Sequence, residues 1–387
     1  MAYCTIPCAP DYKRYIIVFF DDHLYLNHNL PFGIASAVGL QGEVAGAVLC
    51  IWDSLKIAPV KKWVDDISPF RFPSAQGAYC GISGGKIYRY DYDYDSIKQV
   101  IAPLGVPWHR EKGQPFGDVV DYLGFSWDIP SCSVTLTISK HRKYIVRLSQ
   151  FLSTYVHWRV PKEEGERVAG YLQHCTFVFP SGQSYLASIY AWLASFPSKH
   201  AHRYMPHSLV SDLKWWLHVL QSQHTPHLLF PKPPTRDYDV WVDASSDHGI
   251  GLLWKSKWYF WRMHDSWHGS PGEGQDIGWL EAIAIELAIR LAVSYDIKDA
   301  DILIHSDNEG VIQAFRKGHS CNHMVNMCIR HSDLILSQQN LSITLLHIAS
   351  ALNLADPVSC GIFPNQSLHL SPPPSLPPDL AEWFHDA

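Results

Sequence analysis

Asp243, Glu281, Asp307 and Asp356 are the carboxylates whose settings suit them to chemistry. Asp243 ends an apolar run, Tyr238-Asp-Val-Trp-Val-Asp243, and Asp307 closes a second, Asp301-Ile-Leu-Ile-His-Ser-Asp307. Glu281 lies in the opening turns of an amphipathic stretch, Gly278-Trp-Leu-Glu281, and Asp356 falls in Asn353-Leu-Ala-Asp356-Pro. Gathered acids repel, raise one another's pKa and destabilise a fold unless a cation neutralises them. An all-oxygen set suits Mg2+ or Mn2+. Two such ions about 4 Å apart activate water and stabilise the leaving oxygen in phosphodiester cleavage. Each acid alone has an ordinary explanation: a strand-end turn or N-cap for Asp243 and Asp307, a helix-start acid for Glu281, a turn before proline for Asp356. The ordered set is what points to a two-metal nuclease.

The elements that must position these acids are legible from periodicity. Three strands are expected near 238–244, 248–254 and 257–262, then a helix near 277–293, where Leu280, Ile283, Ala284, Leu287, Ala288 and Leu291 recur at helical spacing. A strand at 301–306, helices near 309–317 and 323–338, and a strand at 341–347 complete the block. If the strands ending in Asp243 and Asp307 are parallel neighbours in a mixed sheet, their acids emerge side by side. Glu281 then reaches them from the packed helix, and Asp356 closes the cluster just past the last strand.

Upstream, residues 14–28 read as a hairpin with its turn at Asp21-Asp22, followed by a small-residue helix through Ala35 to Val48. Val60-Lys-Lys-Trp63-Val-Asp65-Asp66 reads as a strand delivering two adjacent acids into a tight turn, and Tyr122 to Trp127 as another strand. From Ser139 to Leu220 the pattern is mainly helical. Thr225 to Pro234 is a proline-rich break, and the tail from Pro364 reads as an extended arm.

Length and composition allow this. A chain of 387 residues, 47% hydrophobic and 18% charged, has room for two or three domains with sizeable cores. It has no run of about 18 apolar residues and no signal-peptide pattern, so no membrane association is expected. Nine scattered cysteines without a CxxC pair read as reduced thiols in a cytoplasmic or nuclear protein rather than a zinc or disulfide framework. A net charge of −6 does not advertise a nucleic-acid binder, but a phosphate groove needs only a local basic surface. Lys140-His-Arg142-Lys143 with Arg147, and Arg159 with Lys162 and Arg167, are the stretches available, each equally readable as a solvated helix face.

The segment from Val240 to Gly361 resembles a type 1 ribonuclease H domain through Val242-Asp243-Ala-Ser, Gly249-Ile-Gly251, Leu280-Glu281-Ala, Ser306-Asp307-Asn308 and Asn353-Leu-Ala-Asp356. The resemblance implies that the four acids bind two Mg2+ (or Mn2+) ions and cut the RNA strand of an RNA–DNA hybrid. Ser245 and Asn308, beside matched acids, become expected nucleic-acid contacts. So do Arg316 and Lys317, ending the helix after Asp307, with a solvated helix end as the alternative. The preceding chain resembles part of a reverse transcriptase: Ala2-Tyr-Cys-Thr-Ile-Pro7, Leu30-Pro-Phe-Gly33, Trp63-Val-Asp65-Asp66 and Tyr122-Leu-Gly-Phe125 follow the order of that family's palm segments. The nearest likeness is to DIRS-type retroelements, common in fungi, and it implies that Asp65 and Asp66 are metal ligands.

The implied architecture is α/β: an α+β palm plus a ribonuclease H-like mixed five-stranded sheet with flanking helices. The division expected is a partial palm at 1–138, a helical thumb- or connection-like region at 139–223, a linker at 224–237, the nuclease at 238–361 and a proline-rich tail at 362–387. Two departures from the family pattern matter. Only Met1 precedes the Ala2 segment, so the first palm aspartate and the fingers are missing, and efficient polymerase activity is not expected. Cys360 follows Ser359 where relatives carry arginine, and the short Ile348–Leu352 loop lacks the histidine of cellular enzymes; His347 reads as part of the preceding strand. A catalytically silent nucleic-acid-binding relic, or a reverse transcriptase completed by upstream sequence, are the competing expectations.

Overall fold

A computed structural model of the chain describes residues 6–31, 33–64, 66–74, 78–80, 86–106, 113–222, 226–229, 231–265, 267, 269–270, 274–371 and 376–385. The chain forms two compact units, Met1–Val120 and Asp121–Ala387.

The first unit is built from local pieces. Ile17–Phe20 and His23–Leu26 form the expected hairpin, its turn residues Asp21 and Asp22 both at positive φ (49° and 54°), as a two-residue turn between twisted strands requires. Helix Ala37–Ser54 follows. Val60–Trp63 then pairs with Asp66–Pro69. These hairpins are separate two-stranded sheets among the described residues, not parts of one palm sheet.

In the second unit, helices Ile138–Tyr155, Lys162–Cys175, Ala187–Ala194 and His207–Gln221 enclose a core containing Leu148, Leu172, Leu209, Leu213 and Trp216. The single strand expected over 122–127 is interrupted, because Leu123 and Gly124 adopt positive φ (54° and 85°) and turn the chain into strand Phe125–Asp128. The proline-rich break also carries structure: His227–Leu228 pairs antiparallel with Ser133 and Val134.

The remaining elements form the second half of this unit: β1 (Thr235–Ala244), β2 (Gly249–Trp254), β3 (Lys257–Met263), α1 (Ile277–Ser294), β4 (Asp301–Ser306), α2 (Glu309–Lys317), α3 (His323–Gln339), β5 (Ser342–His347), α4 (Asp356–Ser359) and β6 (Phe384–His385). The sheet order is β5-β4-β1-β2-β3-β6. β1 runs parallel to β4 and β4 to β5, while β1, β2, β3 and β6 are antiparallel in turn. Helix α1 is apolar around most of its circumference and buried from Trp279 to Ala292 with few breaks, as a helix enclosed on several sides must be. Asp276 caps it by accepting from Trp279 N (2.9 Å). Gly318, left-handed at φ 71°, ends α2 behind Arg316 and Lys317.

The expected five strands are present and a sixth comes from the tail. The segment read as an extended arm folds back, with Leu370, Leu380 and Phe384 buried in the sheet's own core. Trp383 stands edge-on to Trp279 at 5.7 Å. Proline content kept helical or strand periodicity out of this segment, but isolated apolar anchors suffice to dock it.

The sheet half and the helical half share a polar knot. Arg330 of α3 pairs with Asp212 (3.1 Å) and donates to Ser184 O (3.0 Å). Its guanidinium lies 3.8 Å over the Tyr185 ring, which stacks on Trp215 at 3.6 Å.

Candidate metal centre

The β1–β4 ladder pairs Trp241 with His305. Two residues further along both strands, that register sets Asp243 beside Asp307. Glu281 comes from the second turn of α1, which packs against β1 and β2. One carboxylate oxygen from each of Asp243, Glu281 and Asp307 lies within 4.8 Å of the other two, the one such group of three among the described residues. Asp243 and Glu281 are buried and Asp307 is partly so.

Burial, reinforced by the neighbouring acids, pushes the Asp243 carboxyl up to about 7, against the hydrogen bond from Ser359. Burial, then the charges of Asp243 and Asp307, push Glu281 up to about 9. Glu281 receives the Ala244 backbone N–H, but its Oε2 is buried with no hydrogen-bond partner. A buried, unpartnered carboxylate oxygen facing two more carboxylates costs stability unless a cation joins them. The donor set therefore fits a hard divalent cation, held by Asp243, Glu281 and Asp307.

Asp356 does not join this trio. It is the exposed first residue of α4, whose buried residues are Val358 and Ser359. The side chain at the helix start is thus left on the solvent side, although its charge still contributes to raising Asp243. Asp65 lies outside the described residues, and Asp66 is an exposed residue opening its strand, paired with Trp63.

The expected nucleic-acid contacts have local duties. Asn308 caps α2, its Oδ1 accepting from Val311 N (3.1 Å). Arg316 donates to Leu345 O (2.7 Å), tying α2 to β5. Ser245 sits in the β1–β2 turn, where its N–H donates to Gly249 O (2.8 Å). Lys317 is exposed. His347 ends β5 and is exposed. Trp258 and Trp261 belong to the packed interior, Trp258 stacking on Phe363 at 4.9 Å.

Two residues outside the expected site touch it. Asn353 Nδ2 donates to Asp243 Oδ1 (2.9 Å) and to Val242 O (3.1 Å), and the Ser359 hydroxyl donates to Asp243 Oδ2. Gly251, opposite Asp243 on β2, makes room for them: a Cβ there would lie 2.5 Å from Ser359 N and 2.8 Å from Ala355 O. The sequence signal was the glycine in Gly249-Ile-Gly251, where close backbone approach is a standard reason for glycine in a strand.

No family model matches the chain, and no curated protein matches it in sequence. Among solved structures, it is similar to the foamy viral protease-reverse transcriptase in complex with an RNA/DNA hybrid (TM-score 0.42, 12% identity, 97% of this chain and 45% of that one). It is also similar to two complexes of that viral protein with double-stranded DNA. One is the dRH form (TM-score 0.41, 12% identity, 88% of this chain and 54% of that one). The other has a TM-score of 0.41 and 13% identity, over 89% of this chain and 65% of that one. The chain thus spans about half the length of the first two structures.

Proposed function

We propose that this chain is a divalent-cation-dependent nuclease that hydrolyses the RNA strand of RNA–DNA hybrids. The observation that carries the reading is the convergence of Asp243, Glu281 and Asp307, with an unpartnered Glu281 oxygen, at the end of two parallel strands. Mg2+ or Mn2+ bound there, as a pair in the full reading, supplies Lewis acidity and charge neutralisation at the scissile phosphate. The protein's own part is to hold three carboxylates in a partly dry recess, with Asp356 one short helix away to complete the set when a substrate brings its phosphate. Recognition by backbone shape is what an A-like hybrid demands, since its major-groove edges are hidden. Exposed Lys317 is the phosphate contact this reading keeps, while Arg316, Asn308 and Ser245 act through backbone bonds near the site.

The same proposal takes the chain as a piece of a DIRS-type retroelement reverse transcriptase, on the order of its palm-like segments. It keeps the division at 1–138, 139–223, 224–237 and 238–361, with the tail serving the nuclease sheet. Polymerase activity is not assigned to this chain: among the described residues its hairpins form separate two-stranded sheets. We place the protein in the cytoplasm or nucleus; among the described residues no helix is long and apolar enough to cross a membrane.

A second reading, a hybrid-binding protein that does not turn over, is favoured by the position of Asp356 outside the trio. Cleavage of a labelled RNA–DNA hybrid with Mg2+ or Mn2+ separates the two. The nuclease reading expects wild-type cleavage that Asp307→Asn abolishes. Equal residual cleavage by both proteins would sink it, and hybrid binding without cleavage by either supports the second reading.

A further inference from the structure

We propose that Asn353 and Ser359 are positioning residues that clamp Asp243 by engaging both of its carboxylate oxygens, and that Gly251 is the opening through which they reach it. The inference rests on the reading of the three carboxylates as cation ligands, and goes beyond it by assigning roles to residues that ligate nothing.

Asn353 is buried and all its amide groups are used. Its Nδ2 hydrogens go to Asp243 Oδ1 (2.9 Å) and Val242 O (3.1 Å), and its Oδ1 accepts from Ala355 N (3.1 Å). It therefore ties the approach to α4 onto the end of β1 in one orientation. Ser359 has two acceptors within reach, Asp243 Oδ2 and Asp356 O at 2.9 Å, but one proton to give. The contact to Asp243 is the shorter of the two, so the proton belongs to Asp243.

The terminal torsion of an aspartate is broad and does not hold itself. Donors from two points on one short segment, one on each oxygen, fix its plane. Glu281 contrasts with it: one oxygen receives a backbone N–H and Oε2 has no partner. Within the trio Asp243 is thus the fixed carboxylate and Glu281 a less constrained one, and the fixed one sets where a cation sits. Gly251 is the condition for this, because any side chain there would meet Ser359 and Ala355 backbone at under 3 Å and lift α4 from the sheet.

Partners of this kind, one bond removed from the ligand, are worth about 10–100-fold in metal affinity. The test is Mn2+ titration of the full chain under reducing conditions, followed by the paramagnetic signal of the free ion. Wild type is compared with Ser359→Ala, Ser359→Cys and Asn353→Ala, with Asp307→Asn as reference. Ser359→Cys is near-isosteric but a weak donor, so it removes the bond while keeping the packing, and it serves if Ser359→Ala does not fold. The clamp expects both Ser359 variants to bind Mn2+ about tenfold more weakly, with hybrid KM unchanged and kcat reduced. Wild-type Mn2+ affinity in Ser359→Cys, while Asp307→Asn loses binding, overturns the clamp and leaves the nuclease reading standing. Unchanged Mn2+ binding in Asp307→Asn overturns both.

Discussion

At the scale of single residues, Glu281 is the group under most tension. Its folded-state pKa, about 9, lies far above that of an exposed glutamate, and Asp243 is raised to about 7. An acid whose pKa rises on folding binds more protons in the folded than in the unfolded state, so stability falls as pH rises between the two values. Cation-free protein is therefore expected to lose stability progressively from about pH 4 to about pH 9. Added Mg2+ or Mn2+ should raise the melting temperature more at about pH 8.5, where Asp243 is already ionised and fewer protons need be displaced, than at about pH 6. A cation effect that is independent of pH would contradict this. Glu281→Gln should stabilise the chelator-treated protein by about 1–3 kcal/mol in urea unfolding, and should abolish the stabilisation by cation. The acids themselves could be read in the sequence because each ends an apolar run or opens an apolar helix. Asn353 and Ser359 could not be, since their contacts to Asp243 span 110 and 116 residues. Asp356 stands outside the close trio because the buried turn of its helix begins two residues later, at Val358.

Among elements, the sheet is secured at the end opposite the carboxylate trio by a further carboxylate with a different task. Asp301 opens β4 almost fully buried, and accepts from the hydroxyls of Thr235 (2.8 Å), Ser342 (2.6 Å) and Thr344 (2.6 Å) on the flanking strands. These bonds outweigh its burial and lower its pKa. Asp301→Ala leaves three hydroxyls without their acceptor and should cost about 3 kcal/mol, measured by urea unfolding, without changing Mn2+ affinity. Loss of metal binding in that variant would show that the two ends of the sheet are coupled. Strands β1 to β5 and helices α1 to α3 were legible because their period and their caps agree with their packing. The hairpin turn at Leu123-Gly124 was missed because apolar residues on both sides masked it. The docking of the tail was missed because its anchors follow no period.

For the second unit as a whole, the knot at Arg330 decides whether its halves unfold together. Arg330→Met strands the buried Asp212 carboxylate and removes the bond to Ser184 O, at a cost of about 3–5 kcal/mol. The expected result is separation of tryptophan-fluorescence and far-UV transitions that coincide in the wild type. Coincident transitions in the variant would mean that apolar contacts alone join the halves. The tail has a consequence in time as well. Asp243, Glu281 and Asp307 are all synthesised before Phe384 and His385, which cover the edge of β3. A nascent or prematurely terminated chain therefore carries the carboxylate trio on a sheet whose margin is still raw, and unpaired margins recruit other chains. Truncation before Phe384 is therefore expected to show as insolubility rather than as lost cation binding.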